Sequence, residues 1–551
     1  MKVVLVAVNA KYIHSCLAVH SLYTYLNKEN ENIDDAKNIV VKEFTINNSE
    51  DIIISELFAL KPHVLAFSCY IWNINMVLSI TRSLKIIMPE VKIIAGGPEV
   101  SYDWEGLAEH GIDFIVKGEG EKAFRTLIAL LQNGEECEPV WDGQQIPLES
   151  IPFPYQDGFA EFENRIIYYE SSRGCFNNCS FCLSGAGSKG LRFLPIERTK
   201  ADLLAFILAK VAQVKFVDRT FNCDKERAKN IWAYLIQKDN GVTNFHFEIS
   251  ADLLDDEAVE LLGQARKGLF QFEIGVQSTN PKTLAAVGRA TDTRKLFENV
   301  RKLKLLGNIC CYLDLIAGLP YEDYESFITS FNDVIACNPD KLHLGFLKLL
   351  KGSALRKNAN QFGIKFKNVS PYEILTNNFM GFDVLDKLKN VEHVVGVFYN
   401  TGGFGGYVKF MMGQFKTPYD FFEALSTYWK INNCHLISHK KMALYTILYD
   451  FFRYSQNSRD SESSKLICEL LRFDMLTKEN IRTFPDWISE YYSYDAKKVT
   501  RTSAIHTFEY DIVTWLKQTG ENSSIEIKRV NVEVEFYYEV SPIRWQLLEV
   551  I

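Results

Sequence analysis

Along residues 1–130, short unbroken runs of apolar, often β-branched residues alternate with longer stretches whose apolar positions recur at helical spacing. Val3 to Val8 and Val64 to Ser68 are such runs. So are Lys92 to Ala95, leading into Gly96-Gly97-Pro98, and Phe114 to Val116, leading into Gly118-Glu119-Gly120-Glu121. Ile39 to Ile46 reads as another strand, and Ser15 to Leu26 and Asn73 to Ile87 read as helices. Strands without in–out alternation are buried on both faces, so this order predicts an α/β fold with a doubly wound, Rossmann-like parallel sheet. Ligands bind such sheets beyond the carboxyl ends of the strands, where the glycine turns fall.

A proline-rich linker, residues 135–164, closes this first domain (residues 1–134) with Pro139, Pro147, Pro152 and Pro154. A second βα series then occupies residues 165–360. Its predicted strands are Ile166–Glu170, Val214–Asp218, Phe245–Ile249, Phe270–Val276, Cys311–Ile316 and Leu342–Leu347. Ala201–Val211, Lys225–Gln237, Asp256–Ala265, Arg294–Leu306 and Tyr324–Ala336 have helical patterns between them. Six such units predict a partial (β/α)6 barrel with its chemistry at the strand carboxyl ends. Residues 361–551 form a third, mainly α-helical region, rich in aromatics and ending in the strand-like Ile525–Val540.

At 551 residues, with 47% hydrophobic and 24% charged residues, the composition is that of a multidomain globular chain. A net charge of −8 argues against a nucleic-acid binder. The N-terminal MKVVLVAVNAKY is too short for a membrane span and reads as a strand, so the expected location is cytoplasmic, with no membrane partner. Of twelve cysteines, nine are scattered and read as small buried hydrophobes. The other three are not scattered.

The segment SSRGCFNNCSFCLSG sets Cys175, Cys179 and Cys182 in a C-x3-C-x2-C run just after the first barrel strand. Thiolates in short loops hold iron–sulfur clusters, and three of them leave one iron open for chemistry. Gly174, Gly185 and Gly187 let the loop fold tightly. A structural zinc site needs a fourth ligand, and the nearest candidates, Cys223 and His246, lack a knuckle spacing.

This motif, with Phe181 before the last cysteine, resembles the signature of the radical S-adenosylmethionine (SAM) superfamily. The resemblance implies a [4Fe–4S] cluster on Cys175, Cys179 and Cys182. It further implies that SAM chelates the fourth iron and is cleaved reductively to a 5′-deoxyadenosyl radical. The segments FEISADLL, FEIGVQSTN…VGR and LDLIAGLPYED look like those of oxygen-independent coproporphyrinogen oxidases. That likeness implies that Glu248 holds the methionine or ribose end of SAM, Gln277 and Asp314 its ribose hydroxyls, and Arg289 its carboxylate. A planar guanidinium suits a carboxylate, and Asp accepts from hydroxyls. The glycine-rich segment usual after the second strand is absent, and Asp218-Arg219-Thr220-Phe221 stands in its place.

A doubly wound sheet before such a barrel resembles the cobalamin-binding domain of the B12-dependent subgroup. The likeness implies cobalamin contacts from Ser68, Gly96, Gly97, Pro98, Gly118, Glu119 and Gly120, with Glu121 closing the second glycine turn. His14, His20, His63 and His110 all lack the D-x-H-x-x-G context of a cobalt ligand, and Tyr70-Ile71-Trp72-Asn73 is then placed to pack against the lower face of cobalamin. Residues 361–551 resemble the domain of unknown function of one branch of these enzymes, through Tyr399-Asn400-Thr401-Gly402-Gly403-Phe404 and LLRFDML around Asp474.

The implied function is cobalamin-dependent radical methylation of an unactivated carbon in an organic substrate, with an electron donor such as flavodoxin or ferredoxin. A radical cyclase or rearrangement enzyme is the alternative, and a cobalamin-binding or redox-sensing protein with a vestigial barrel is one of another class. No catalytic residue beyond these ligands is assigned by the sequence.

Overall fold

The computed structural model describes all residues except 29–37, 187–189, 456–460, 482, 493–495, 501, 519–525, 540–542 and 551. Gly187 and the predicted strand ends Ile525 and Val540 therefore lie outside the described residues. Two units form: residues 1–327 with 345–382, and residues 328–344 with 383–551.

In the first unit, the N-terminal apolar runs become β1 (Val3–Asn9), β2 (Ile39–Thr45), β3 (Val64–Ser68), β4 (Lys92–Gly96) and β5 (Phe114–Lys117). A sixth strand, β6 (Val140–Asp142), forms inside the segment read as a linker and pairs with β5. All pairings are parallel, in the order β2-β1-β3-β4-β5-β6. One face packs Val4, Val6, Leu65, Phe67 and Ile93 against residues such as Ile53, Leu57, Val77 and Ile80 of helices Glu50–Ala59 and Ile74–Ile87. The other packs Leu5, Ala7, Ala66 and Val116 against Val19, Phe124 and Leu127 of helices Leu17–Asn27 and Gly120–Asn133. The sheet is doubly wound, as its unalternating strands predict. β1 has β2 on one side and β3 on the other, so the topological switch point lies between the ends of β1 and β3.

The same unit continues into β7 (Ile166–Tyr169), then a short antiparallel pair, β8 (Ser172–Arg173) and β9 (Arg192–Phe193), which brackets the cysteine loop. β10 (Gln213–Phe216), β11 (Asn244–Ile249), β12 (Phe270–Gln277) and β13 (Cys310–Ala317) follow, and β7-β10-β11-β12-β13 are parallel neighbours. β14 (Lys341–Phe346) is the sixth strand to alternate with helices along the chain. Side chains in β12 and β13 alternate strictly between buried and partly buried. Phe272, Ile274 and Leu313 fill the buried side, and Glu273, Gln277 and Asp314 occupy the other. Helices begin at side-chain caps: Asp224 accepts from the Arg227 amide and Asp292 from the Lys295 amide.

In the second unit, helices such as Pro418–Ile431, Lys441–Ser455 and Ser461–Leu476 bury their aromatic and leucine-rich faces. Thr417 and Asp420 form a reciprocal capping box ahead of the first of these. The helical region also holds four antiparallel strands, Ala496–Val499, Ser503–Tyr510, Arg529–Tyr537 and Arg544–Val550, in that order. Only part of this sheet is foreshadowed by the strand-like stretch read at the C-terminal end. Asn400 serves the backbone instead of a turn. Its side chain accepts from the Leu342 amide and donates to the Leu342 carbonyl, both at 2.8 Å, as a neighbouring strand would. Tyr399 donates to the Pro339 carbonyl at 2.6 Å. Among the described residues no helix is long and apolar enough to cross a membrane.

Candidate active site

The switch point opens into a cavity of about 760 Å³. Asn9, Ala10 and His14 line it from the end of β1, and Ser68, Tyr70 and Trp72 from the end of β3. The two glycine turns, Gly96-Gly97-Pro98 and Gly118-Glu119-Gly120-Glu121, complete the sheet side. Tyr168, Glu170, Arg173, Leu183 and Arg219 line it from the barrel side. All seven residues named for cobalamin thus border one cavity.

The local chemistry explains this wall. Gly97 has φ +108°, and a Cβ there would lie 2.6 Å from the Cys69 carbonyl oxygen, so only glycine lets the two loops meet. Asn73 ties its turn down by donating to the carbonyls of Val8 and Ser68, at 3.0 and 2.9 Å. Tyr70 and Trp72 stack at 4.5 Å, with the indole donating to the Val8 carbonyl. His14 is the one of the four N-terminal histidines that borders the cavity, and its Nδ1 shares a 2.8 Å hydrogen bond with the Tyr168 hydroxyl. A shallow cradle of glycine backbone beside an aromatic plate fits a large, flat ligand such as a corrin.

The cysteine loop is fastened at both ends. Gly174 has φ +105°, and a Cβ there would meet the Gly190 carbonyl oxygen at 2.7 Å. The Ser180 amide donates to the Val287 carbonyl, and the Ser180 carbonyl accepts from Leu355, both at 2.8 Å. Cys179 is buried, whereas Cys175 and Cys182 are partly exposed. Burial pushes the Cys179 thiol up, and the Arg289 guanidinium, 3.8 Å from its Sγ, pulls it back down. Three thiols on one clamped loop, one of them beside a cation, are a donor set suited to a cluster with an open iron.

Three of the four residues expected around SAM converge on Gly275. Asp314 is its register neighbour on β13, Arg289 donates to its carbonyl oxygen, and Gln277 folds back over it. A β-bulge between Gly275 and Gln277 leaves Gln277 at φ +71°, which re-aims its side chain. The Nε of Arg289 is buried without a partner. Glu248 stands further along, on β11 opposite Glu273. Burial pushes the Glu248 carboxyl up to about 7, opposed by Arg219. Beside it, Lys215 and His246 lie 2.8 and 3.0 Å from Glu273. Despite burial, their contacts draw the Glu273 carboxyl down to about 2.

Two groups escape sequence reasoning. Asp218, in the segment that replaces the glycine-rich one, is buried and braces the root of the cysteine loop. It accepts from the Ser171 amide and from the hydroxyls of Ser171 and Ser172, at 2.6–2.9 Å. Burial raises its carboxyl to about 6 against these bonds. Arg173 meets three carboxylates, Glu119, Glu121 and Glu170. The position of Asp218 at a strand end was a visible signal; nothing local announces the partners of Arg173.

Three family models match in succession. Residues 3–128 match the B12 binding domain, residues 169–334 the radical SAM superfamily, and residues 360–543 a protein of unknown function (DUF4080). The chain is therefore a radical SAM protein with an N-terminal B12-binding domain. It is 28% identical to the 2-(S-pantetheinyl)-carbapenam-3-carboxylate methyltransferase of Streptantibioticus cattleyicolor, over 48% of this chain and 44% of that one. It is 25% identical to the cobalamin-dependent radical SAM methyltransferase TokK of Streptomyces tokunonensis, over 55% of this chain and 50% of that one. The chain thus spans about half the length of these relatives. Its fold resembles the radical SAM methyltransferase TsrM of Kitasatospora setae, with a TM-score of 0.52 at 16% identity, covering 68% of this chain and 80% of that one.

Proposed function

We propose that the chain is a cobalamin-dependent radical SAM methyltransferase acting on an unactivated carbon of an organic substrate. The observation that carries this reading is the single cavity, which the glycine turns of a B12-type sheet and the barrel residues beside the cysteine loop line together. In this reading Cys175, Cys179 and Cys182 hold a [4Fe–4S] cluster. Arg289 receives the SAM carboxylate, Gln277 and Asp314 accept from ribose hydroxyls, and Glu248 meets the methionine or ribose end. Ser68, Gly96, Gly97, Pro98, Gly118, Glu119 and Gly120 cradle cobalamin, and Tyr70 and Trp72 cover its lower face. With these groups bound, SAM cleavage supplies a hydrogen-abstracting carbon radical and cobalamin supplies a methyl group.

The residues of the chain do the rest by position and charge. Arg289 favours the thiolate of Cys179, and the bulge at Gly275 turns Gln277 into the ligand space. The stacked Tyr70–Trp72 plate would pack against the cobalamin held in the cavity. A low-potential donor such as flavodoxin or ferredoxin supplies electrons in the cytoplasm.

Anaerobic reconstitution with and without hydroxocobalamin tests the reading. Four irons and one cobalt per chain, with 5′-deoxyadenosine formation that disappears in Cys179→Ala, are expected. Cluster and cleavage without bound cobalamin would remove the methyl-transfer mechanism, and a chain that takes up no cluster would sink the reading entirely.

A further inference from the structure

The contact between the second glycine turn and the root of the cysteine loop is made by charge. Arg173 donates from Nη1 to Glu119 at 2.8 Å, and from Nη2 to Glu121 at 2.8 Å and Glu170 at 2.6 Å. Its Nε donates to Glu170 at 3.1 Å. Arg192 takes the other oxygen of Glu119 and also donates to the Ile146 carbonyl at 2.7 Å. One planar guanidinium therefore fixes two elements at once. Glu119 and Glu121 belong to a turn that lines the cavity at the end of β5, and Arg173 lies two residues before Cys175.

The loop side of this contact is crowded. Gly118, at φ +68°, opens the turn, and the crowded Gly174 separates Arg173 from Cys175. Glu121 is almost fully buried in the cavity wall, and its second oxygen has no hydrogen-bond partner. A ligand seated in the cavity rests against this turn, so occupancy bears on the residues that Arg173 grips. A guanidinium fork transmits such a shift because its donors have fixed relative directions, which a lysine lacks.

We propose that Arg173 is a positioning residue that couples the B12 cavity to the cysteine loop, so that each cofactor strengthens binding of the other. This rests on the proposed function, and coupling of this kind is reciprocal. The test is titration of the full chain with hydroxocobalamin, followed by visible absorbance, in cluster-free and cluster-loaded forms under anaerobic conditions. Cluster-loaded wild type is expected to bind at least about five-fold more tightly than the cluster-free form. In Arg173→Met the ratio falls to about one, while Arg173→Lys keeps the charge, loses the fork and falls between. Glu121→Gln gives the same loss and serves if Arg173→Met does not fold. A ratio of one in wild type, or an unchanged ratio in Arg173→Met and Glu121→Gln, overturns the coupling alone. A wild-type chain that binds no cobalamin overturns the proposed function along with it.

Discussion

The Nη1 of Arg289 lies 3.8 Å from the Sγ of Cys179, while its Nη2 donates to the carbonyl oxygen of Gly275. Arg289 is thus the link between the cysteine loop and the strand pair that carries Gln277 and Asp314. Burial makes the Cys179 thiol a poor thiolate, and Arg289 opposes that effect. A cluster binds thiolates, so removing the cation shifts cluster uptake to higher pH. Arg289→Met is expected to weaken iron retention by about ten-fold or more and to move the midpoint of uptake upward in pH. Iron per chain after reconstitution across a pH series measures both, and an unchanged midpoint would remove Arg289 from this role.

In the second unit, Asp474 is buried and accepts from the amides of Gly406 and Tyr407, both at 2.9 Å, at the start of helix Gly405–Met412. Burial raises its carboxyl to about 7, against those two bonds. A carboxyl raised on folding holds its proton more tightly in the folded chain than in the unfolded one. Its contribution is then greatest below the ordinary value near 4 and is lost as pH rises through about 7. Glu469, raised to about 7 by burial, acts in the same direction. Melting temperatures should fall between pH 5.5 and 8, and Asp474→Asn, which cannot ionise, should fall less across that interval. A parallel pair of profiles would refute the assignment.

The sequence makes the doubly wound sheet legible because β1, β3, β4 and β5 are built on short apolar runs that stop at or just before glycine or a small polar residue. β6 escapes such reading, since Val140-Trp141-Asp142 is only three residues long and follows Pro139 in a segment that otherwise looks like a linker. In the C-terminal sheet, Ser503–Tyr510 alternates in burial, but one of its buried positions is His506, which blurs the period. The cysteine triad is local and therefore visible. The role of Arg173 depends on partners more than fifty residues earlier, and only the packing of β5 beside the barrel brings them into reach. Resemblance points to Gln277, but the bulge that turns it arises from the pairing of β12 with β13, which one strand alone cannot reveal.

The two glycine turns should respond differently to a methyl group. At Gly97 a Cβ meets the Cys69 carbonyl oxygen at 2.6 Å and the Cys69 amide nitrogen at 3.1 Å, whereas at Gly118 it meets nothing within 4 Å. Both have positive φ, so each alanine is strained, and Gly97, with ψ 177°, lies in a region that essentially only glycine adopts. Only Gly97→Ala must also push two loops apart. Gly97→Ala is expected to lose cobalamin on gel filtration and to unfold at a clearly lower temperature, while Gly118→Ala keeps most of its cobalamin. Equal behaviour of the two variants would show that contact with the Cys69 backbone does not shape the cavity.

Asn400 replaces a strand edge with a side chain, because one amide group satisfies both the N–H and the C=O of Leu342. Leu342 is itself buried, so truncating Asn400 strands a donor and an acceptor where water has poor access. Each such orphan costs on the order of 1–3 kcal/mol. Asn400→Ala should therefore lower the unfolding free energy by about 2–4 kcal/mol, measured by urea denaturation. Asn400→Asp separates packing from pairing: it keeps the size and the acceptor but replaces the donor with a second acceptor, facing the Leu342 carbonyl. Its cost should equal or exceed that of alanine at neutral pH and shrink as the pH falls toward 4 and the new carboxyl gains a proton. An aspartate variant as stable as wild type at pH 7 would mean that the side chain merely fills space, and that β14 does not need Asn400 to complete its edge.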